Sequence, residues 1–215
     1  DYALGRIFGC LRENDLFKNT WVIFTADHGE MLGDHHMSQK NLFFEGSAHV
    51  PLLIMPPQGR SLPQNISVEA PADLVDLYPT ILAMAGLSSP VSVSGKNLLE
   101  PVPMDRMFFG NSLNKNFCVM EEKVKLVYSA VGDHVLLFDL TTDPMEQHNL
   151  AEDPAWQERK AKLWKLLLEH TAQYTPEALD EKGQFLTYEA PHFPGDVPGR
   201  WFGFHYHDYS VDTFH

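Results

Sequence analysis

The chain has 215 residues and a formal net charge of −13 at pH 7, with 44% hydrophobic and 21% charged residues. That is room for one good core, or one core with a small appendage, and the acidic balance argues against a nucleic-acid backbone as partner. No apolar run approaches the roughly 20 residues of a membrane span. Two cysteines, Cys10 and Cys118, make no disulfide framework, and whether they form a single bridge is open at this level.

Leu4, Ile7, Phe8 and Leu11 recur at helical spacing and predict an amphipathic helix over residues 2–14. The chain starts at Asp1 without methionine, inside the first turn of that pattern, and nothing resembles a signal peptide. The expectation is a fragment whose upstream part is missing. Asn19-Thr20 then opens a strand, Trp21-Val22-Ile23-Phe24, that reads as buried and ends near Thr25. Residues 27–48 have no clean period and hold His28, His35, His36, Lys40, Gly29, Gly33 and Gly46. So long a connection inside a compact domain is usually functional or disordered. A second strand, Val50 to Met55, also reads as buried and closes on Pro56-Pro57-Gln58-Gly59; Ser67-Val68-Glu69 reads as a short strand. Asp73 suits an N-cap for a helix with Leu74, Leu77, Tyr78, Ile81 and Leu82 on one face. Pro79 inside it predicts a kink or a broken first turn, and Gly86 a C-terminal stop.

Alternating helix and buried strand up to about residue 112 argues an α/β class, with a sheet flanked by helices. Beyond it, Phe117–Met120, Lys123–Val127 and Val135–Asp139 alternate or run apolar between short polar turns, the pattern of an antiparallel meander. Asp153-Pro154 opens a helix to about Gln173, with Trp156, Leu163, Trp164, Leu167 and Leu168 on its apolar side. The organisation predicted is an α/β core over 1–112, a small α+β subdomain over 113–174 and an extended aromatic-rich tail over 175–215, without internal repeats.

Asp27-His28 follows a strand, at the sheet edge where open α/β folds bind ligands. A carboxylate beside an imidazole suits a divalent cation, and a cation suits an anionic substrate. With a net negative chain, attraction of an anion must come from such a local site. Alone, Asp27-His28-Gly29 also reads as an ordinary polar turn, and Lys40 as a solvated lysine. The neighbours change the weighting: Leu32-Gly33-Asp34-His35, Lys40, Phe44-Glu45 and Val50-Pro51-Leu52 follow in order. This series closely resembles the sulfatase family within the alkaline-phosphatase-like superfamily. Members carry Asp-(His/Asn)-Gly, Leu-Gly-x-His, a Lys, a Tyr/Phe-Glu pair and a Val-Pro-Leu strand at this spacing. The resemblance continues through Asp73 to Leu82, Gly95-Lys96-Asn97-Leu98-Leu99, Leu137-Phe138-Asp139-Leu140, Asp143-Pro144, Glu146 and His148-Asn149-Leu150. It covers residues 1 to about 170; the tail after Tyr174 has no counterpart in it.

The resemblance implies the carboxyl-terminal portion of an enzyme that hydrolyses sulfate esters, with part of an alkaline-phosphatase-like mixed sheet as its core. It implies one divalent cation, Ca²⁺ first and Mn²⁺ or Mg²⁺ as alternatives, with Asp27 and His28 as two ligands and the rest on an earlier strand. Ca²⁺ takes six to eight oxygens, so two adjacent groups cannot complete the site. Lys40 is implied to contact the sulfate and the leaving oxygen, neutralising charge in the transition state. His35 and Glu45 read as loop-ordering, His49 as a hydrogen-bonded structural residue, and His205-Tyr206-His207 as packing or interface rather than a metal pair. The family's nucleophile is formylglycine, made from a cysteine or serine followed by x-(Pro/Ala)-x-Arg. Neither Cys10-Leu11-Arg12-Glu13-Asn14 nor Cys118-Val119-Met120-Glu121-Glu122 fits, which places the nucleophile upstream. A phosphonate monoester or phosphodiester hydrolase of the same superfamily is the near alternative, and a non-catalytic fold or binding module the alternative of another class. The implied partners are a sulfated small molecule or carbohydrate and the missing N-terminal part of the same protein. Self-association through the aromatic tail is a further expectation, and family habit implies periplasmic or secreted placement.

Overall fold

A computed structural model describes residues 1–37, 40, 42–60 and 66–189, His36 by its backbone alone. The expectations for the tail beyond 189, His205-Tyr206-His207 and self-association included, lie outside the described residues. The chain forms two compact units, residues 1–27 with 50–104, and residues 28–49 with 105 onward. No described helix is long and apolar enough to cross a membrane. Both cysteines are free thiols, Cys10 exposed and Cys118 buried.

The first unit holds helix α1 (Tyr2–Glu13), strands β1 (Val22–Thr25) and β2 (Leu52–Met55), and helix α3 (Leu77–Met84). β1 and β2 pair antiparallel, Val22 opposite Met55 and Thr25 opposite Leu52. Both were expected to be buried. Neither has a buried residue, and Leu53 is 58% exposed. A continuous apolar run signals a strand covered on both faces, whereas here each strand pairs only with the other among the described residues. Ser67-Val68-Glu69 is not a strand.

Before α3, Leu74–Asp76 makes a 3₁₀ turn closed by a capping box between Asp73 and Asp76. Pro79 sits in the first turn of α3, where its missing N–H costs nothing. Gly86, at φ +73°, ends the helix: its N–H bonds Ala83 O and that of Leu87 bonds Leu82 O, a Schellman stop that needs a left-handed residue. The buried face is not the predicted one. Asp76, Thr80 and Met84 are buried, while Leu74, Tyr78 and Ile81 are exposed. Asp76 accepts the Lys96 N–H at 2.6 Å, and the Thr80 hydroxyl accepts the Leu98 N–H at 2.9 Å, so the helix buries polar groups to hold the turn at 95–98.

The second unit is built on a four-stranded antiparallel meander. Its strands are β3 (Phe108–Ser112), β4 (Asn116–Glu121), β5 (Val124–Ser129) and β6 (His134–Asp139). β3 lies outside the predicted strands; Phe108-Phe109-Gly110-Asn111-Ser112 carries neither alternation nor a long apolar run. Helix α4 (Gln157–Tyr174) follows a Pro154–Trp156 turn, with the Asp153 side chain accepting the Ala155 N–H at 2.8 Å. Successive side chains of a strand face opposite sides, and here both sides are covered. Phe117, Val119, Leu126, Tyr128 and Leu137 pack with Leu163 and Leu167 of α4 and with Phe185. Cys118, Val127, Leu136 and Phe138 pack with Met31, Met37, Leu42 and Phe44. The second layer is therefore the connection at 28–49, which carries most of the motif residues.

Candidate functional site

The connection is ordered by four apolar anchors, Met31, Met37, Leu42 and Phe44, each nearly fully buried against the sheet. Burial of such side chains stabilises by about 1.5–3 kcal/mol each. Between the first two anchors the backbone coils tightly, with Leu32, Gly33 and His35 all at positive φ. The Gly33 N–H donates to Met37 O and the Asp34 N–H to Met31 O, both at 2.8 Å. The His35 ring stacks on Phe44, centroids 4.2 Å apart, which accords with a loop-ordering histidine. The Phe43 ring occupies the space a Cβ would fill at Gly110, seating the connection on β3.

Glu45–Ala48 forms a one-turn helix, α2. Four residues are too few to be helical by themselves, and three outside contacts hold it. The Gly29 N–H donates to Ser47 O at 2.7 Å. The Ser47 hydroxyl donates to Lys40 O at 2.5 Å. The Glu45 N–H donates to Glu146 Oε2 at 2.7 Å. Gly29 admits no side chain, because a Cβ there would overlap the Gly46 carbonyl oxygen. The glycine of Asp27-His28-Gly29 is thus set by the close approach of α2.

Beneath α2 lies a buried ionic cluster. Lys125 of β5 projects from the same sheet face as Val127 and Cys118, with its side chain 4% exposed. Its ammonium donates to Phe43 O at 2.8 Å, to Glu146 Oε1 at 2.9 Å and to Glu45 Oε1. Glu146 is 1% exposed in its side chain. Burial opposes the ammonium, but the Glu146 carboxylate, with Cys118 and Glu45, outweighs it, so the Lys125 pKa stands above its ordinary value. Burial pushes the Glu146 carboxyl the other way from its partner's pull, upward, although Lys125 and the Glu45 N–H draw it down. Burial also pushes the Cys118 thiol up to about 12, which makes it an inert core residue. Breaking such a pair by removing one partner costs about 3–5 kcal/mol. Glu45 also meets His49, Oε2 to Nδ1 at 2.7 Å, at a largely exposed imidazole.

His28 is half-buried and Lys40 exposed. The chain next to each is stitched to α2, His28 through Gly29 and Lys40 through its own carbonyl. His28 Nδ1 lies 2.9 Å from Gly29 O. A carbonyl only accepts, so Nδ1 is the donor in this contact, which fixes the orientation of the ring. Asp27, exposed, precedes it at the end of the first unit's opening segment. A carboxylate and an imidazole are donor types that a divalent cation accepts. Among the described residues no group of three or more His, Cys, Asp or Glu gathers as a metal cluster. Ser47 and Lys125 were not singled out from sequence. The available signal was a lysine inside the run Val124-Lys125-Leu126-Val127, which is costly unless paired.

Comparison with known proteins fits this arrangement. The family model described as Sulfatase matches residues 1–87. Arylsulfatase K of Xenopus laevis is 34% identical over 171 residues, 70% of this chain and 31% of its own length. A protein of Escherichia coli (strain K12) described as uncharacterized sulfatase YidJ is 31% identical over 182 residues, 79% of this chain and 35% of its own. The solved phosphonate monoester hydrolase of Agrobacterium radiobacter is 32% identical at a TM-score of 0.62, covering 84% of this chain and 41% of that one. The chain spans about a third of the length of the curated relatives it matches.

Proposed function

The chain belongs to the sulfatase family of the alkaline-phosphatase-like superfamily, and from that premise we propose that it is the carboxyl-terminal portion of an enzyme hydrolysing sulfate esters. What carries the reading is that Asp27, His28 and Lys40 all fall within the span matched by the family model. The substrate class is a sulfated small molecule or carbohydrate. Asp27 and His28 would hold a divalent cation, Ca²⁺ by preference, which would supply positive charge against the sulfate oxygens. The remaining ligands and the formylglycine nucleophile belong to the upstream part of the protein.

Lys40 supplies a mobile ammonium on a fixed backbone. It donates to a sulfate oxygen and to the ester oxygen that leaves, where negative charge grows as the S–O bond breaks. His28 would offer an imidazole nitrogen to the cation. Asp27 offers a hard oxygen and lowers the net charge of the occupied site.

In the full-length protein, Lys40→Ala lowers kcat/KM for 4-nitrophenyl sulfate by about 10²–10³. Asp27→Ala weakens calcium binding in a titration and abolishes calcium-dependent turnover. Unchanged turnover in the first variant, or unchanged calcium affinity and activity in the second, removes that residue from the site. The likeness to a phosphonate monoester hydrolase supports a second reading, hydrolysis of phosphonate or phosphate esters at the same residues. Steady-state kinetics on 4-nitrophenyl sulfate and on 4-nitrophenyl phenylphosphonate separates the two by which kcat/KM is larger.

A further inference from the structure

We infer that Lys125, Glu146 and Ser47 are positioning residues, which lock the backbone carrying Lys40 and that following His28 into one registered piece through α2. The inference rests on the reading of His28 and Lys40 as site residues. It goes beyond that reading by assigning to the distant meander a part in the geometry of the site.

The chain of contacts is continuous and lies within one compact unit. Glu146 uses both oxygens, Oε1 for the Lys125 ammonium and Oε2 for the Glu45 N–H, so a single carboxylate fixes the start of α2 to β5. Lys125 adds Phe43 O at 2.8 Å, just before the helix, and the Glu45 side chain within it. The helix passes this constraint on through Ser47, whose two oxygens face different clients. Its carbonyl accepts from Gly29, next to His28, at 2.7 Å. Its hydroxyl donates to the carbonyl of Lys40 at 2.5 Å. One turn of helix therefore sets the spacing between two proposed site residues twelve positions apart.

The surroundings indicate why ions serve here. Cys118, Val127, Leu136 and Phe138 on the same sheet face meet Met31, Met37, Leu42 and Phe44 by apolar packing alone, which tolerates sliding and repacking. The ammonium's three acceptors are satisfied in one register only, and the shift of one residue that apolar contacts would absorb leaves a buried charge unpaired. A register device is the best-attested use of buried ion pairs.

The test is a double-mutant cycle on the full-length protein with 4-nitrophenyl sulfate, with thermal melting and inhibition by inorganic sulfate measured alongside. Ser47→Ala and Lys125→Met, each in the native background, lower kcat/KM by about 10–100-fold, the scale of a misplacement near 1 Å. In a Lys40→Ala background Ser47→Ala changes kcat/KM less than about twofold, because the group its hydroxyl positions is gone, while Lys125→Met keeps only the part of its loss that runs through Gly29 and His28. Lys125→Arg, which keeps the charge, recovers part of the loss. Equal factors in the two backgrounds, or no loss in the native one, overturn the inference. If Lys125→Met does not fold, Ser47→Ala carries the cycle, since it removes one hydroxyl and keeps the ionic cluster. Full activity of Lys40→Ala alone overturns the underlying functional reading, whereas an impaired Lys40→Ala with multiplicative Ser47→Ala effects overturns only the positioning role.

Discussion

Gly29 shows how much a site can demand of a residue that does no chemistry. Its N–H serves Ser47 O, and the Gly46 carbonyl oxygen stands where a side chain would begin. An alanine there must push α2 away or break the Gly29–Ser47 bond, and either movement reaches Lys40 O through Ser47. Overpacking at a close-packed contact costs about 1–3 kcal/mol. Gly29→Ala in the full-length protein should lower the melting temperature by a few degrees and kcat/KM by about tenfold or more. A native melting temperature with native kcat/KM would mean that the approach of α2 is not required. The alanine tests sterics and the Ser47 cycle tests hydrogen bonding, so the two together separate the contributions to one contact.

At the scale of elements, α3 and α4 differ in how far their apolar spacing foretells the buried face. Helix α4 buries Leu163 and Leu167 and was legible from its apolar spacing. Helix α3 buries Thr80 and Met84, with Asp76 buried in the turn before it, and its apolar spacing pointed to the wrong face. Thr80→Val keeps the shape but leaves the half-buried Leu98 N–H without its acceptor and frees Asp76 O of a bond made at 2.6 Å. The cost should be about 1–3 kcal/mol in a denaturant or thermal unfolding measurement; a neutral substitution would show the 95–98 turn to be held by the Asp76–Lys96 contact alone. What sequence made legible are features written locally: the Asp73 cap, the Gly86 stop, the Asp153-Pro154 start and the strands at 116–139. What it hid are features decided by distant partners. Lys125 and Glu45 are 80 positions apart, so no window of residues reveals that a lysine in a strand is paired rather than solvated. β1 and β2 read as buried because apolar runs report what a strand can cover, not what stands against it. The candidate site shows the same division. Asp27 and His28 stood out by their place after a strand and Lys40 by the family resemblance, while the contacts that hold the backbone beside His28 and at Lys40 run through Ser47, Lys125 and Glu146.

For the molecule as a whole, the question is what 215 residues can do by themselves. The meander unit has its own two-sided core and carries His28, Lys40 and the network beneath them. Fold and site geometry on that side need nothing further to be coherent. The proposed chemistry does: if the nucleophile is a formylglycine, neither Cys10 nor Cys118 stands in the sequence context expected to yield one. Cys118 is also excluded by its own environment, a buried thiol with its pKa near 12. As proposed ligands, Asp27 and His28 would contribute two groups where Ca²⁺ takes six to eight. The isolated 215-residue chain should therefore fold its meander unit, bind calcium weakly if at all, and give no turnover of 4-nitrophenyl sulfate with calcium or manganese present. The full-length protein should hydrolyse it under the same conditions. Circular dichroism and a calcium titration on the isolated chain, followed by a long-incubation assay, make the comparison. Hydrolysis by the pure chain, abolished by Lys40→Ala, would place a nucleophile within these residues and overturn the division of labour proposed between this chain and the part that precedes it.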